Sequence, residues 1–277
     1  MTNGPVSLTD DDDPMMARAS AHARSSFKYF WRELYWERRR TIPALDMAVI
    51  KLPFQDGEGE ARADGKPAVE HMWVDEVQFD GLTLSGVLIN APNWIRSVRQ
   101  GDRVRAPFER LGDWMYSIGD VVHGGYTINL LRSRMPVAER TSHDRAWGLD
   151  FGNPDSIRLF PYVPADDGSE PQSGFLPAEK DPAALPFEDH PACQRMLDRV
   201  EQAIAADPSS LAQTGDDGLT TLHREALAGN LGIVQLLLKH GCDPEGSAAG
   251  GNSLADLTEG VGWPTIAEAL RTHGSTT

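Results

Sequence analysis

The sequence predicts an α+β fold in which an N-terminal helix packs on a small curved antiparallel sheet, followed by an all-α domain of repeated helix pairs. Three patterns predict it: an apolar stripe of helical period near the N-terminus, short alternating segments with close turns after it, and a recurring two-helix motif near the C-terminus. A chain of 277 residues is long enough for two such domains, each with its own core.

The first helix is expected between Ala17 and Arg40, a stretch without glycine or proline. Phe27, Trp31 and Tyr35 recur there every four residues, as one face of a helix requires. Basic residues occupy the other face. The apolar stripe is expected either to dock on a sheet or, because the other face is basic, to lie on a membrane surface, and docking on a sheet is the preferred interpretation. The acidic segment before the helix is expected to be disordered.

The sheet is expected to follow directly. Residues 44–54 form a first apolar run, and apolar residues alternate with polar ones from His71 to Ile89 around an Asp80-Gly81 turn. That alternation predicts a hairpin. A helical turn is expected near Trp94, and the further predicted strands cover residues 103–108, 114–118 and 121–131.

A proline-rich stretch separates the two parts of the chain. Eight prolines lie from Pro154 to Pro191, with acidic and small residues between them, which is typical of an extended linker. The expected organisation is an acidic tail (1–16), an α+β domain (17–163), a linker (164–189) and a helical domain (190–277).

The most specific motif, DDGLTTLHREALAGNLGIVQLLLKHGCDPE, runs from Asp216 to Glu245. Its apolar residues fall on one face of a short helix and on one face of the next, with a glycine after each. Ile233 and His240-Gly241 recur 33 residues later as Ile266 and His273-Gly274. The motif resembles an ankyrin repeat, and 33 residues is the period of that architecture.

A degenerate unit over residues 193–208 brings the expected number of units to three, about the minimum that buries a continuous core.

Glu225 departs from the pattern, because the repeat normally has a small alanine there. A buried carboxylate needs a partner. A bond to a neighbour such as His223 or Arg224 is the preferred interpretation, and contact with a ligand is the alternative.

Ankyrin units present their turn tips and first helices as a concave face that binds other proteins. The resemblance therefore implies a protein-binding role for the C-terminal domain. A short extension or dimerisation module remains an open alternative. On this chain the binding face is expected to include Asp216, Asp217, Leu219, Arg224, Leu227, Asn252 and Asp256.

A second resemblance covers roughly residues 17–135. The blocks HMWVDEV, LGDWMYSIGD and HGGYTINLL are similar to the YegJ-like bacterial domain of unknown function, number 2314 of that series. The resemblance implies a bacterial source and a compact α+β fold, and it implies no activity. Asp113, Trp114 and Tyr126, which lie in these blocks, are the candidate partner-binding residues of the first domain.

The sequence holds no nucleophile elbow, zinc-protease motif or dinucleotide fingerprint. Its eight histidines are scattered and its two cysteines lack metal-binding spacing, so no catalytic residue, metal site or cofactor is expected. An acid–base cluster of His123, Asp113 and Tyr126 is the basis of an alternative function. In that alternative the β domain is an enzyme or small-ligand binder, and the repeats recruit its target.

The charge balance bears on the partner. The chain has 26 basic and 41 acidic residues, a formal net charge of −15. Such a surface repels nucleic acids and anionic membranes and attracts basic proteins, although acidity also serves solubility alone. With no signal peptide or membrane span expected, a cytoplasmic location is predicted.

The preferred function is that of a bacterial protein-binding protein, specifically an immunity protein that neutralises a basic toxic effector by stoichiometric binding. Neither a nucleic acid nor a membrane is an expected partner. A scaffold protein without an inhibitory role is a further alternative.

Overall fold

The computed structural model describes residues 13–57, 69–161, 174–185, 189–215, 217–244 and 251–274. Over these residues the helices are α1 (Pro14–Glu37), α2 (Tyr126–Ser133), α3 (Val137–Trp147), α4 (Pro191–Ala206), α5 (Thr221–Leu227), α6 (Leu231–Lys239), α7 (Leu254–Val261) and α8 (Pro264–Gly274). The strands are β1 (Met47–Gln55), β2 (Val69–Phe79), β3 (Thr83–Leu88), β4 (Arg103–Pro107), β5 (Asp113–Ile118), β6 (Val121–Gly124), β7 (Ser156–Arg158) and β8 (Phe175–Pro177).

Six of these strands form one sheet in the order β4-β3-β2-β1-β5-β6. β1 pairs antiparallel with β2 on one side and with β5 on the other, and β5 pairs antiparallel with β6. β2 and β3 are joined by the tight turn at Asp80, whose carboxylate accepts hydrogen bonds from the amides of Leu82 and Thr83. The predicted α+β class, with an N-terminal helix and an antiparallel sheet, is confirmed.

Helix α1 supplies one side of this sheet. The indole Nε1 of Trp114 donates to the carbonyl of Ala23 at 2.8 Å, and its ring lies 5.8 Å from that of Phe30. The helix begins at Pro14, three residues before the expected start, because Asp13 caps it: its carboxylate accepts from the amide of Met15. The expected tail residues 1–12 lie outside the described residues.

The opposite side of the sheet carries a second apolar cluster. Its buried members come from β1, β2, β5, β6, α2 and the segment after α3: Val49, Trp73, Met115, Val122, Ile128 and Phe151. Alternation along β5 places Trp114 on the α1 side and Met115 on this side. Both faces of the central strands are therefore buried.

Two local predictions were wrong. The strand predicted over residues 121–131 ends at Gly124, because Gly124 and Gly125 both have positive φ (79° and 72°) and turn the chain into α2. The helical turn predicted near Trp94 is absent, since none of residues 90–102, all described, is helical. That loop is held instead by Glu70, whose buried carboxylate accepts from the amides of Asn93 and Trp94.

The proline-rich stretch is more ordered than an extended linker where the structure describes it. β8 pairs antiparallel with β7. The residues after β8 bond to α1, where the guanidinium of Arg18 donates to the carbonyl of Glu179 and His22 Nδ1 bonds to that of Ala178. Residues 162–173, the centre of the expected linker, lie outside the described residues.

The chain divides into two compact units. Unit 1 comprises Met1–Phe30, Arg40–Gln78 and Leu84–Pro182, and unit 2 comprises Trp31–Arg39, Phe79–Thr83 and Ala183–Thr277. Unit 2 thus contains two N-terminal segments, the end of α1 and the tip of the β2–β3 hairpin. The domain boundaries expected from the sequence, at residues 163 and 190, assign both segments to the first domain instead.

The C-terminal part of unit 2 is helical. α5 and α6 form one pair and α7 and α8 the next, and α4 packs on α6. Both pairs begin with a capping hydroxyl: Thr220 accepts from the amide of His223, and Ser253 accepts from that of Asp256. The prediction of helices after the sheet is confirmed.

Among the described residues, no helix combines the length and the apolarity needed to cross a lipid bilayer.

Candidate functional site

In unit 1 the two most characteristic sequence blocks meet at the start of β5. The register places Lys51 of β1 directly opposite Asp113 on one neighbouring strand and opposite Trp73 on the other. Asp113 is fully buried, and Lys51 is 8% exposed. Thr127 joins them, since its hydroxyl donates to Asp113 Oδ2 at 2.6 Å and accepts from Lys51 Nζ at 3.2 Å.

The carboxylate of Asp113 also begins helix α2. It accepts hydrogen bonds from the backbone amides of Tyr126 (3.1 Å) and Thr127 (2.7 Å), the first residues of the helix. A helix is usually capped by the side chain of the residue before it, but here that residue is Gly125, which has no side chain. Asp113, on strand β5, caps the helix instead. The bonded partners and the positive end of the helix dipole stabilise its charge.

Trp114 explains the double glycine beside it. Gly125 N donates to the carbonyl of Trp114 at 2.8 Å. A Cβ at Gly124 would lie 2.3 Å from that carbonyl and 2.4 Å from the indole ring, so only glycine fits. The DWMY and GGYT blocks therefore fit into each other as one strand–turn–helix junction.

Burial governs the electrostatics of this junction. Loss of hydration raises the pKa of Asp113, opposed by its hydrogen bonds with Thr127 and by the charge of Lys51. Burial lowers the pKa of Lys51, and the charge of Asp113 opposes that shift. Burial and the nearby charges of Lys51 and Arg110 also lower the pKa of His71 to about 4.

The sequence placed Asp113, Trp114 and Tyr126 on a partner-binding surface, and the structure corrects this. It does bring the three together, with the Trp114 and Tyr126 rings 6.2 Å apart, but all three are buried. A protein partner cannot reach them without opening the core. His123, the proposed acid–base partner, is also buried and stacks on Tyr116 at 4.6 Å.

In unit 2 the departure at Glu225 has a structural explanation. Its side chain is 1% exposed, and Arg39 Nη2 lies 2.6 Å from Oε1. Asn230 Nδ2 donates to Oε2 at 2.7 Å. The preferred interpretation, a structural bond, is therefore correct, but the expected partners His223 and Arg224 are wrong.

The same N-terminal segment contributes an aromatic contact. Trp36 Nε1 donates to Asn230 Oδ1 at 3.1 Å, and the Trp36 ring stacks on His190 with centroids 5.2 Å apart. His190 caps α4, accepting from the amide of Ala192. Sequence reasoning missed these residues, because α4 to α8 contain no local signal that a segment about 190 residues earlier completes their core.

The hairpin tip covers part of the expected binding face. A Cβ at Gly81 would lie 3.0 Å from Leu257 of α7 and 3.4 Å from Leu227 of α5, so the tip packs closely on these two helices. Leu227 is 1% exposed and Leu219 is 6% exposed. The assignment of these leucines to a partner-binding surface is corrected, because they are core residues of unit 2.

The remaining residues of the expected face lie at the surface. Asp217 pairs with Arg224, Asp256 pairs with Arg271 at 2.9 Å, and Asn252 is exposed. The Arg224 contact lowers the pKa of Asp217 against the opposing effect of burial. Hydrogen bonds from Ser253 and then from Arg271 lower the pKa of Asp256. Asp216 lies outside the described residues.

Within the described ranges no group of three or more His, Cys, Asp and Glu side chains is arranged to hold a metal ion. Both cysteines, Cys193 and Cys242, are buried free thiols. Burial raises the pKa of Cys193 to about 12, so its thiol is not a poised nucleophile.

Comparison with known proteins identifies the family. The model of the family described as "Uncharacterized protein conserved in bacteria (DUF2314)" matches residues 13–151, from the cap of α1 to the segment after α3. The chain belongs to this bacterial family.

Two relatives extend the comparison. A Neisseria meningitidis serogroup B protein named "Putative ankyrin repeat protein NMB1133/NMB1171" is 38% identical over 271 residues, which are 98% of each chain. The "Uncharacterized protein YegJ" of Escherichia coli K12 is 36% identical over 70 residues, 25% of this chain and 46% of YegJ. No solved structure matches the chain.

Proposed function

We propose that this protein acts by binding another protein, and that its C-terminal helix pairs are ankyrin-type units. The observation that carries the proposal is the stacking of equivalent helices: α5 packs on α7, and α6 packs on α8. Repeats of this kind bury a core only by such neighbour stacking. The name of the Neisseria relative, which is similar over nearly the whole chain, supports it.

The proposed binding surface is the exposed rim of unit 2. The first-helix face is partly covered by the hairpin tip at Gly81, and buried Glu225 on α5 is held by Arg39. The rim offers the side chains of Asp217, Arg224 and Asp256, which are 47%, 34% and 60% exposed. Exposed ion pairs contribute little to stability, so their charges are free to serve recognition.

The finer proposal is that the partner is a basic effector and that this chain is its cytoplasmic immunity protein. The formal net charge of −15 supports it, because an acidic surface speeds the approach of a basic one. A scaffold that binds a basic protein without inhibiting it would use the same rim.

The test begins with co-purification from the native bacterium, followed by binding kinetics with any partner found. A double variant, Asp217→Lys with Asp256→Lys, changes the net charge at the rim. Its matched control, Glu109→Lys with Glu139→Lys, makes the same change at exposed residues of unit 1. We expect the rim variant to lower the association rate roughly tenfold more than the control at low salt.

Equal rates for the two double variants would show that the rim is not the binding surface. The immunity role is tested separately, by growth of cells that express the partner. Protection by the wild-type chain supports inhibition, and a partner that is harmless when expressed alone contradicts it.

A further inference from the structure

Unit 1 contains a cavity of about 200 Å³ that the protein-binding proposal does not use. Its walls are the first turns of α1, the helix α2 and the residues before β7 and after β8. Ligand pockets for drug-sized molecules measure roughly 300–1,000 Å³, so this one suits a smaller molecule. Its polar lining consists of Arg18, His22, Tyr126, Ser133, Asp155 and Glu179.

The hydrogen-bonding state of His22 follows from its neighbour. His22 Nδ1 lies 3.2 Å from the carbonyl oxygen of Ala178. A carbonyl oxygen only accepts, so Nδ1 carries a hydrogen and donates it to this carbonyl. Ser133 likewise donates its hydroxyl hydrogen to the carbonyl of Leu130, so its oxygen is left to accept.

Tyr126 forms part of the wall and is 3% exposed. Its hydroxyl lies near Ser26 but outside hydrogen-bond geometry, so it is a buried polar group without a partner in the described structure. Buried polar atoms are normally bonded to protein, water or ligand.

The charges at the mouth favour a cation. Asp155 and Glu179 are exposed carboxylates there, against one cation, Arg18, whose guanidinium already donates to the Glu179 carbonyl. Arg134, at the end of α2, is paired with Asp13 at 2.7 Å. Apolar surface completes the wall, including Met15, which is 50% exposed.

We infer that this cavity binds a small organic amine with a short apolar body. The ammonium group lies toward Asp155 and Glu179, with the Ser133 oxygen as a further acceptor. The apolar body lies along Met15, Leu130 and the Tyr126 ring. No part of unit 2 is involved, so this inference stands or fails apart from the protein-binding proposal.

The test uses three phenyl-bearing probes of similar size and different charge on the full chain: phenethylamine, 2-phenylethanol and phenylacetate. Calorimetric titration and amide chemical shifts report the binding. We expect phenethylamine to bind at least tenfold more tightly than either of the other two, with shifts at residues of α1 and α2. Equal affinities, or no binding by the amine, would overturn the inference.

Matched variants locate the site. Asp155→Asn combined with Glu179→Gln removes both carboxylate charges at the mouth, and we expect it to weaken phenethylamine binding about tenfold. The control Glu139→Gln removes an exposed carboxylate on α3, outside the cavity, and should leave the affinity unchanged. Loss of affinity in the control, or an unchanged affinity in the double variant, would contradict the assignment.

Discussion

Two buried carboxylates show how single residues organise this protein. Asp113 is satisfied by groups close in the fold of one motif: the start of α2, its own strand neighbour and Thr127. Glu225 is satisfied by Arg39, which lies 186 residues away in sequence, and by Asn230. Burying a charge is costly unless it is bonded, so each carboxylate fixes the elements that supply its partners.

Replacing Asp113 with alanine should destabilise the protein by about 3 kcal/mol or more, because the buried charge of Lys51 loses its opposing charge and the first amides of α2 lose their acceptor. The control is Asp46→Ala, which removes one exposed bond to the amide of Gly119. That control should cost only about 0.5–1 kcal/mol. Urea unfolding measures both, and equal losses would contradict the role given to Asp113.

His71 predicts a pH dependence of stability. Its pKa is about 4 in the folded protein and about 6.5 when unfolded, so between these values the unfolded chain binds more protons. Stability should therefore fall by roughly 2 kcal/mol as the pH drops from 7 to 4.5. The variant His71→Gln should lose this part of the dependence, and parallel curves for the two proteins would refute the assignment.

At the scale of elements, helix ends depend on glycine for two different reasons. Gly229 follows α5 with φ 79°, and a Cβ there would lie 2.4 Å from the ring of Trp263. Gly241 follows α6 with φ 86°, and a Cβ there would meet nothing within 4 Å. The first position combines a backbone requirement with a packing requirement, and the second has only the backbone requirement.

Gly241→Ala should therefore cost about 1–2 kcal/mol, the penalty of the left-handed conformation. Gly229→Ala should cost roughly 2–5 kcal/mol, since overpacking adds to that penalty. Thermal unfolding monitored by circular dichroism measures the difference. Similar melting temperatures for the two variants would show that the Trp263 contact yields easily.

The elements themselves were largely predictable from sequence. Periodicity located α1, the β2–β3 hairpin and the helix pairs, because each has a local pattern of burial that matches its geometry. The predicted strand over residues 121–131 is too long. It ends at Gly124 because the turn at Gly124-Gly125 depends on the Trp114 ring and on Asp113, which no local pattern reveals. The predicted partner-binding surface is wrong in part for the same reason, because Leu227 is covered by a hairpin tip that is distant in sequence.

At the scale of the whole molecule, unit 2 is assembled from three separate stretches of chain. The helices after Ala183 lack the partners of Glu225 and Asn230 when Trp31–Arg39 is removed. The C-terminal stretch alone is therefore incomplete, although its motif reads as a self-contained array.

A fragment of residues 183–277 should consequently be less helical and melt less cooperatively than the same helices in the full chain. Circular dichroism of the fragment, with and without a peptide covering residues 31–39, provides the measurement. Arg39→Ala in the full chain is the milder version, and it should cost about 3 kcal/mol by leaving Glu225 without its cation. A fragment that melts as sharply as the full chain would contradict the completion of unit 2 by Trp31–Arg39.

This arrangement has a consequence for biosynthesis. Glu225 and Asn230 are synthesised about 190 residues after Arg39 and Trp36, so at about 5–20 residues per second this segment waits roughly 10–40 seconds for its partners. During that interval Trp36 and Arg39 lack the groups that cover them in the finished protein. The nascent chain therefore carries an aromatic, basic stretch without these contacts until α5 and Asn230 have been synthesised.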